Sequence, residues 1–276
     1  RVDDRWEVQT QDRLYRGANL VVAAGYNREA YIPNWPGTAG FNGRILHSSQ
    51  YKNGATFKNQ KVLVVGFGNS GGEIAIDLYE YGAQPALAVR SPVNVIPREL
   101  FGIPILTIGI AQSRLPPCLA DALNAPILNV AIGDLRRYGL SKLSRGPLSQ
   151  IQQQARIPLI DVGTIKLIKQ GQVHVYPGIE TFTEEGVQFS DGNLQKFDSV
   201  ILATGYRPRV DAFLNAAATY DENGTPLSSG SQTAIPGLYF CGYYVSPTGM
   251  LREIALEAQR ISSSIARRDN PKRGVR

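Results

Sequence analysis

The sequence predicts an α/β protein built on parallel strands, and three observations carry that prediction. Lys61-Val-Leu-Val-Val65 is a continuous apolar run, as expected of a strand covered on both faces, and it enters Gly66-Phe-Gly68-Asn69-Ser70-Gly71. Apolar runs at residues 19–23, 197–203 and 237–242 each end in glycine or alanine-glycine turns. Segments of helical period lie between them, together with a few short alternating strands.

In chain order, Trp6, Val8 and Thr10 alternate with Glu7 and Gln9, so residues 5–10 and 13–16 read as short strands of a meander. Residues 19–23 form a buried strand that ends at Ala24-Gly25. Pro33, Pro36, Gly37, Gly40 and Gly43 make 31–44 an irregular connection. A strand–turn–helix–strand unit spans about 60–91. Apolar, proline-punctuated helices are expected near 101–112 and 117–138. Strands resume around Val173–Val175, Val187–Phe189 and Phe197–Ala203, with a turn at Asp191-Gly192. After the short strand in 237–242, Leu251, Ile254, Ala255, Ala258, Ile261 and Ile265 share one face of a helix over 249–267.

The glycine-rich turn carries the chemistry. Gly66 permits the tight turn, Gly68 lets backbone approach a pyrophosphate, and Gly71 allows close helix–strand packing. The helix that follows offers its N–H groups and positive dipole end to phosphate. About twenty residues on, the next strand ends in Arg90-Ser91. A carboxylate there would hold the ribose 2′-OH of NAD, whereas a guanidinium and a hydroxyl suit the 2′-phosphate of NADP.

Bulk properties narrow the remaining classes. The 276 residues, 43% apolar and 19% charged, have the composition of a globular protein with a substantial core. The net charge of +6 is concentrated in a basic tail, where Arg267, Arg268, Lys272, Arg273 and Arg276 outweigh Asp269. Such a tail reads as solvated, and no nucleic-acid partner is expected. Cys118 and Cys241 make no motif, and with His47 and His174 they build no zinc site. No transmembrane segment or secretory signal is expected, which fits a cytoplasmic location. Residue 1 is Arg and the single methionine is Met250, so the chain is expected to begin within a longer protein.

Phe41-Asn-Gly43-Arg-Ile-Leu-His47-Ser48-Ser-Gln-Tyr51 precedes the glycine-rich turn. This Phe-x-Gly-x-x-x-His-Ser-x-x-Tyr pattern, followed about fifteen residues later by Gly-x-Gly-x-Ser-Gly, resembles the fingerprint of the flavin-containing monooxygenases. Val89-Arg90-Ser91 through Pro97-Arg98-Glu99 and Phe197 through Thr204-Gly205-Tyr206-Arg207 resemble the plant-type indole-3-pyruvate monooxygenases and their bacterial relatives. There are departures. The first crossing is Ala23-Ala24-Gly25 rather than Ala-Thr-Gly, and Ser246-Pro-Thr-Gly-Met-Leu-Arg252-Glu253 is unlike the plant enzymes. The family's first Gly-x-Gly-x-x-Gly, which holds the FAD pyrophosphate, is not among these residues.

The resemblance implies two interleaved Rossmann-like dinucleotide-binding domains, with the FAD domain incomplete at its N-terminus. Residues 1–58 and 198–276 would be pieces of the FAD domain and 59–197 the NADP domain. It implies NADPH- and FAD-dependent insertion of one oxygen atom from O2 into a small organic substrate through a C4a-(hydro)peroxyflavin. By matching position, Gly66, Gly68, Asn69, Ser70 and Gly71 would hold the NADP pyrophosphate, and Arg90 with Ser91 the 2′-phosphate. His47 and Ser48 would sit between the domains and couple cofactor position to turnover. Asn27 would reach the flavin edge, while Thr204, Gly205 and Gly242 would line the flavin side. For Thr204 a turn-capping role is an equal alternative. Two other readings compete. A disulfide reductase shares the architecture, but Cys118 and Cys241 cannot supply its redox pair. A catalytically inactive NADP-binding fragment is the other, because half of the FAD site is absent.

Overall fold

The computed structural model describes residue 1 and residues 3–269. The strands and helices that matter here are, in order, β1 (Trp6–Gln9), β2 (Leu14–Gly17), β3 (Leu20–Val22), β4 (Arg44–His47), β5 (Lys61–Val65), α1 (Asn69–Glu80), β6 (Gln84–Ala88) and β7 (Val95–Pro97). There follow α2 (Ile105–Ala111), α3 (Pro117–Ile132), α4 (Pro147–Gln154), β8 (Leu159–Asp161), α5 (Thr164–Lys169) and β9 (His174–Tyr176). The chain closes with β10 (Ile179–Phe182), β11 (Gly186–Phe189), β12 (Leu194–Lys196), β13 (Ser199–Leu202), β14 (Leu238–Phe240) and α6 (Met250–Asp269). Contacts divide these into two compact units, Ala30–Gly205 and the described part of Arg1–Glu29 with Tyr206–Arg276.

The larger unit is an α/β layer. Five strands lie in the order β9-β6-β5-β13-β4, and every neighbouring pair is parallel. β4 and β13, which lie outside the boundaries that the sequence suggests at 58 and 198, belong to this same sheet, β4 pairing with β13 and β13 with β5. Because alternate side chains of a strand face opposite ways, β5 feeds two cores. Val62 and Val64 pack with Ile74, Ala75 and Leu78 of α1 and with Ile165 and Ile168 of α5. Leu63 and Val65 pack with Phe182, Val187 and Phe189 of the antiparallel meander β10-β11-β12. Covered on both faces, Val62, Leu63, Val64 and Val65 are all buried, which is why the run carries no polar alternation.

The expected helices of the middle region are shorter than their apolar patterns. α2 starts at Ile105 because Phe101 and Gly102, with φ of 52° and 77°, form the tip of a short hairpin between Glu99–Leu100 and Ile103–Pro104. α3 stops at Ile132 because Gly133 takes φ 77°, and residues 136–138 make only a 3-10 turn. The sequence reading missed α4, α5 and the parallel pair β7–β8.

In the smaller unit β1 and β2 form an antiparallel ribbon, and β3 pairs in parallel with β14. Trp6, Val22, Val210, Leu238, Phe240 and Tyr243 make its core. α6 keeps only part of the expected apolar face, with Ile254, Ile261 and Ile265 packed with Tyr239 and Cys241. Leu251 is 85% exposed and Ala255 and Ala258 are exposed, whereas Glu253 and Glu257 are buried beside Ile261. The two buried carboxylates are partnered unequally, since Glu257 Oε1 has no partner among the described residues. Glu257 accepts the Gly242 N–H at 2.5 Å, and Glu253 pairs with Arg260 at 2.7 Å. Lys272, Arg273 and Arg276 of the basic tail lie outside the described residues. Among the described residues no helix is long and apolar enough to cross a membrane.

The middle and last glycines of the turn tolerate a side chain differently. A Cβ on Gly71 would lie 2.1 Å from the Gly66 carbonyl oxygen, and one on Gly68 would meet nothing within 4 Å. Gly71→Ala is therefore expected to destabilise the chain by about 1–3 kcal/mol, and Gly68→Ala to stay within about 0.5 kcal/mol of the parent. Denaturant unfolding followed by circular dichroism checks this; equal losses would contradict the packing described.

Candidate functional site

The register of the sheet builds the site. His47 of β4, Leu202 of β13, Val65 of β5, Ala88 of β6 and Tyr176 of β9 form one row across all five strands. Every loop that leaves beyond this row emerges on the same carboxyl edge, the edge at which open α/β sheets bind ligands. The chain runs from β5 through α1 to β6 on one side of β5, while β13 lies on the other, so the β5–α1 turn sits where the strand order reverses.

That turn is Gly66-Phe67-Gly68-Asn69-Ser70-Gly71. Gly66 takes φ 104° and donates its N–H to Ala88 at 3.0 Å; a Cβ there would lie 2.6 Å from the Ala203 oxygen. Gly68 is the N-cap of α1, and no side chain caps the helix. The first turn of α1 holds no acidic residue, so its dipole end is unopposed. Gly68 and Ser70 are exposed, and the space over Gly68 is open. Asn69 is placed differently from Ser70. Its Oδ1 accepts the Ile160 N–H at 2.8 Å, so this side chain ties α1 to β8.

Arg90 and Ser91 lie just past β6 on the same edge, with Arg90 exposed and Ser91 half-buried. Gly178 packs against the stem of Arg90; a Cβ there would come 3.2 Å from its Cγ. Among the described residues Arg90 makes no ion pair.

His47 is buried. Its Nε2 lies 3.1 Å from the Gly205 oxygen, so Nε2 carries the proton and donates it. Nδ1 then accepts from the Ser49 backbone N–H at 3.2 Å, with the Ser49 hydroxyl 3.0 Å away. Burial lowers the pKa of the imidazole, and the bond to Gly205 offsets this only in part. Gly205 accepts a second bond, from the Tyr31 N–H at 2.9 Å, and the Thr204 hydroxyl donates to the Tyr31 oxygen at 2.5 Å. The Thr204 side chain thus joins two segments that are 173 positions apart in sequence. Ser48, half-buried, opens the 3-10 turn Ser48–Gln50, and its carbonyl accepts the Tyr51 N–H.

Three contributors escaped the sequence reading. Ser49, rather than Ser48, is the serine bonded to the His47 ring. Tyr31 joins the Gly205 clamp, and nothing in its Pro- and Gly-rich surroundings signals this. Asp77 of α1 accepts the Tyr51 hydroxyl at 2.5 Å and the Gly54 N–H at 2.7 Å, fastening the 48–57 segment to the helix of the glycine-rich turn. Burial and the Asp77 bond together drive the Tyr51 pKa far upward. The helical position of Asp77 was legible in sequence, but its partner was not.

Asn27 and Gly242 belong to the other unit. There Val22 and Phe240 end the paired strands β3 and β14, and the Cys241 N–H donates to Val22 at 3.0 Å. Gly25 and Gly242 follow with φ of 84° and 88°. Gly242 is held by Glu257, and Asn27 is exposed. Cys241 is a buried free thiol whose pKa is raised by burial and by the Glu257 carboxylate.

A parallel sheet with a glycine-rich turn at its switch point defines a dinucleotide-binding fold, and comparison with known proteins gives the family. The profile described as flavin-binding monooxygenase-like matches residues 2–223. The chain belongs to that family. A probable indole-3-pyruvate monooxygenase of Arabidopsis thaliana, YUCCA4, is 40% identical over 244 residues, covering 86% of this chain and 59% of that protein. The indole-3-pyruvate monooxygenase YUCCA8 of Oryza sativa subsp. indica is 40% identical over 263 residues, 92% of this chain and 61% of that protein. This chain therefore spans about three fifths of the length of these plant relatives.

Among solved structures, a flavin-containing monooxygenase from Stenotrophomonas maltophilia aligns with a TM-score of 0.66 at 19% identity, covering 96% of this chain and 68% of that one. Cyclohexanone monooxygenase from Rhodococcus sp. Phi1, bound to NADP+, aligns with a TM-score of 0.63 at 19% identity, covering 96% and 64%. At such identities the likeness is one of fold.

The depressed pKa of His47 has a consequence for stability. Its folded value lies below the unfolded value of 6.5, so its contribution is complete above that pH and is lost as pH falls through the folded value. The parent chain is expected to lose thermal stability on acidification below about pH 6.5 more steeply than His47→Gln, which keeps a donor but does not titrate there. Parallel melting curves across pH for both proteins check the difference.

Proposed function

We propose that this chain serves an NADPH- and FAD-dependent monooxygenase reaction, in which one oxygen atom from O2 is inserted into a small organic substrate. One observation carries the reading most directly: an uncapped α1 N-terminus with open space over Gly68, beside Arg90 and Ser91 on the same sheet edge. Family membership and the indole-3-pyruvate monooxygenases among the relatives support it.

In this reading the backbone of Gly66–Gly71 and the Ser70 hydroxyl bind the NADP pyrophosphate, and Arg90 with Ser91 binds the 2′-phosphate. Asn69 acts by holding α1 against β8 rather than through its own amide. His47 keeps Gly205 in place as a neutral donor, Ser48 starts the turn that supports it, and Thr204 secures Tyr31. By the family resemblance Gly205 in the larger unit, and Gly242 and Asn27 in the smaller one, would each take part in holding FAD. The chemistry that FAD would supply when bound is acceptance of the NADPH hydride and activation of dissolved O2. Residues 59–197 are assigned to NADP, and 1–58 with 198–276 to the flavin. The substrate is a small soft nucleophile or a 2-oxo acid such as indole-3-pyruvate, and the setting is cytoplasmic.

The residues present fit the two cofactors unequally. The NADP side has its turn, its helix end and its cation. On the flavin side the positive-φ glycines Gly25 and Gly242 are present, but the 276 residues hold a single Gly-x-Gly-x-x-Gly. That observation favours a second reading, in which these residues alone bind NADPH without turnover.

Two measurements test the proposal. Arg90→Ala is expected to weaken NADPH binding by about ten- to a hundredfold while leaving NADH nearly unchanged; equal loss for both would remove Arg90 from the 2′-phosphate site. Titration with FAD followed by NADPH separates the two readings. Flavin binding with NADPH-driven bleaching of its absorbance supports a working reductive half-reaction in this chain, and NADPH binding without flavin binding supports the second reading.

A further inference from the structure

A cavity of about 1070 Å³ lies within the larger unit, lined by α3, by residues 93–95 and by residues 140–147. That volume is at the upper end of the range, about 300–1,000 Å³, of pockets that enclose small organic molecules. Cys118, Ala122, Ala125, Leu128 and Ile132 recur along α3 at steps of three and four residues, so one face of the helix makes one wall. Leu123 and Val130 are exposed and lie outside the lining. The other wall is held by its backbone. The Val93 N–H donates to Ser141 at 2.9 Å, the Leu143 N–H donates to Val93 at 3.3 Å, and the Asn94 side-chain amide donates to the Arg145 carbonyl at 2.9 Å.

The charges that line this cavity do not balance. Asp121 is buried, and its two oxygens accept the Leu148 and Ser149 N–H groups at 2.9 Å. Those N–H groups belong to the first turn of α4, so the carboxylate is held by a helix end. Asp134 pairs with Arg136 at 2.8 Å. Lys142 and Arg145 remain. The Lys142 Nζ donates to the Asn129 amide oxygen at 2.6 Å, and the Arg145 guanidinium donates to the Gln153 amide oxygen at 2.5 Å. Both acceptors are neutral. Each cation is therefore oriented without being neutralised, and each keeps further N–H donors.

We propose that this cavity binds a small organic carboxylate with an apolar body, aryl or alkyl. The body lies along Ala122, Ala125, Leu128 and Ile132, where two alanines leave room for it, and the carboxylate meets Lys142 and Arg145. A nucleotide does not suit the same walls, because the α3 side chains named here offer no donor or acceptor to a base. None of the residues of the glycine-rich turn lines the cavity, and neither Arg90 nor Ser91 does. The carboxylate site is therefore separate from the dinucleotide edge and does not depend on the reading of that edge.

Calorimetric titration of the purified chain with 2-naphthoate and with decanoate tests this and tells a ring from a chain. At least one of them is expected to bind, and its uncharged primary amide to bind at least about tenfold more weakly. Lys142→Gln and Arg145→Gln, both at exposed positions, should each weaken the carboxylate by about tenfold and leave the amide unchanged. Ala125→Trp fills the cavity and should abolish binding, Leu123→Glu outside the lining should retain it, and circular dichroism confirms that each variant is folded. Cys118 is an exposed free thiol in the wall, so the bound carboxylate should slow its alkylation by iodoacetamide several-fold, read by peptide mass spectrometry. Failure of both carboxylates to bind would overturn the proposal, as would equal affinity for the amide. Binding that persists in folded Ala125→Trp and leaves Cys118 unprotected would place the ligand elsewhere and overturn it too.

Discussion

In a parallel sheet all strands leave the layer in the same direction, so a single register decides which loops share an edge. Here the row His47, Leu202, Val65, Ala88, Tyr176 does this for five strands at once. Beyond it come Ser48, Ala203–Gly205, the glycine-rich turn and Arg90-Ser91, residues that are up to 157 positions apart in sequence (Ser48 to Gly205). A one-residue slip of β5 would exchange Val62 and Val64 with Leu63 and Val65 between two differently shaped cores. Packing on both faces therefore holds the site in register, without any contribution from the site residues themselves.

Close packing at the edge then limits which residues can occupy it. Gly66 and Gly71 are confined by the Ala203 and Gly66 carbonyl oxygens, so α1 starts in contact with β5 and β13. Gly68, between them, faces open space. The same edge is fastened by neutral or capping interactions rather than by ion pairs. A neutral imidazole reaches from Ser49 to Gly205, and Asp77 holds Tyr51 and Gly54. This leaves Arg90 as the cation at the end of β6, with the dipole end of α1 alongside it in the sheet order. An anion arriving there meets no competing carboxylate in the first turn of the helix.

The middle region follows different rules. α3 and α2 are as apolar as core helices but bury little, and their charges are gathered at the ends. Composition averages over the whole chain hide this, because a mostly ordinary 43% apolar content is spent unevenly between a doubly covered sheet and an exposed helical pair. α6 teaches the converse. Its sequence shows a plausible apolar stripe, yet the buried face includes Glu253, paired with Arg260, and Glu257. One Glu257 oxygen accepts the Gly242 N–H, while the other is buried without a partner among the described residues.

The sequence by itself determined the fold class, the β5–α1–β6 unit and the family, since these depend on local patterns: an apolar run, glycines at set spacing and the Phe-x-Gly-x-x-x-His-Ser-x-x-Tyr string. It also located the ends of β3, β13 and β14, where apolar runs meet glycine. Tertiary structure decided what the individual side chains do. Asn69 turned to β8, Ser49 bonded the His47 ring, and Thr204 closed on Tyr31. Each of these partners is chosen by which backbone groups the folded sheet brings within about 3 Å, a distance that periodicity and propensity do not encode. Exposure of the α2–α3 face was undecidable from sequence for the same reason: an apolar helix reads alike whether a core or a solvent-facing edge awaits it.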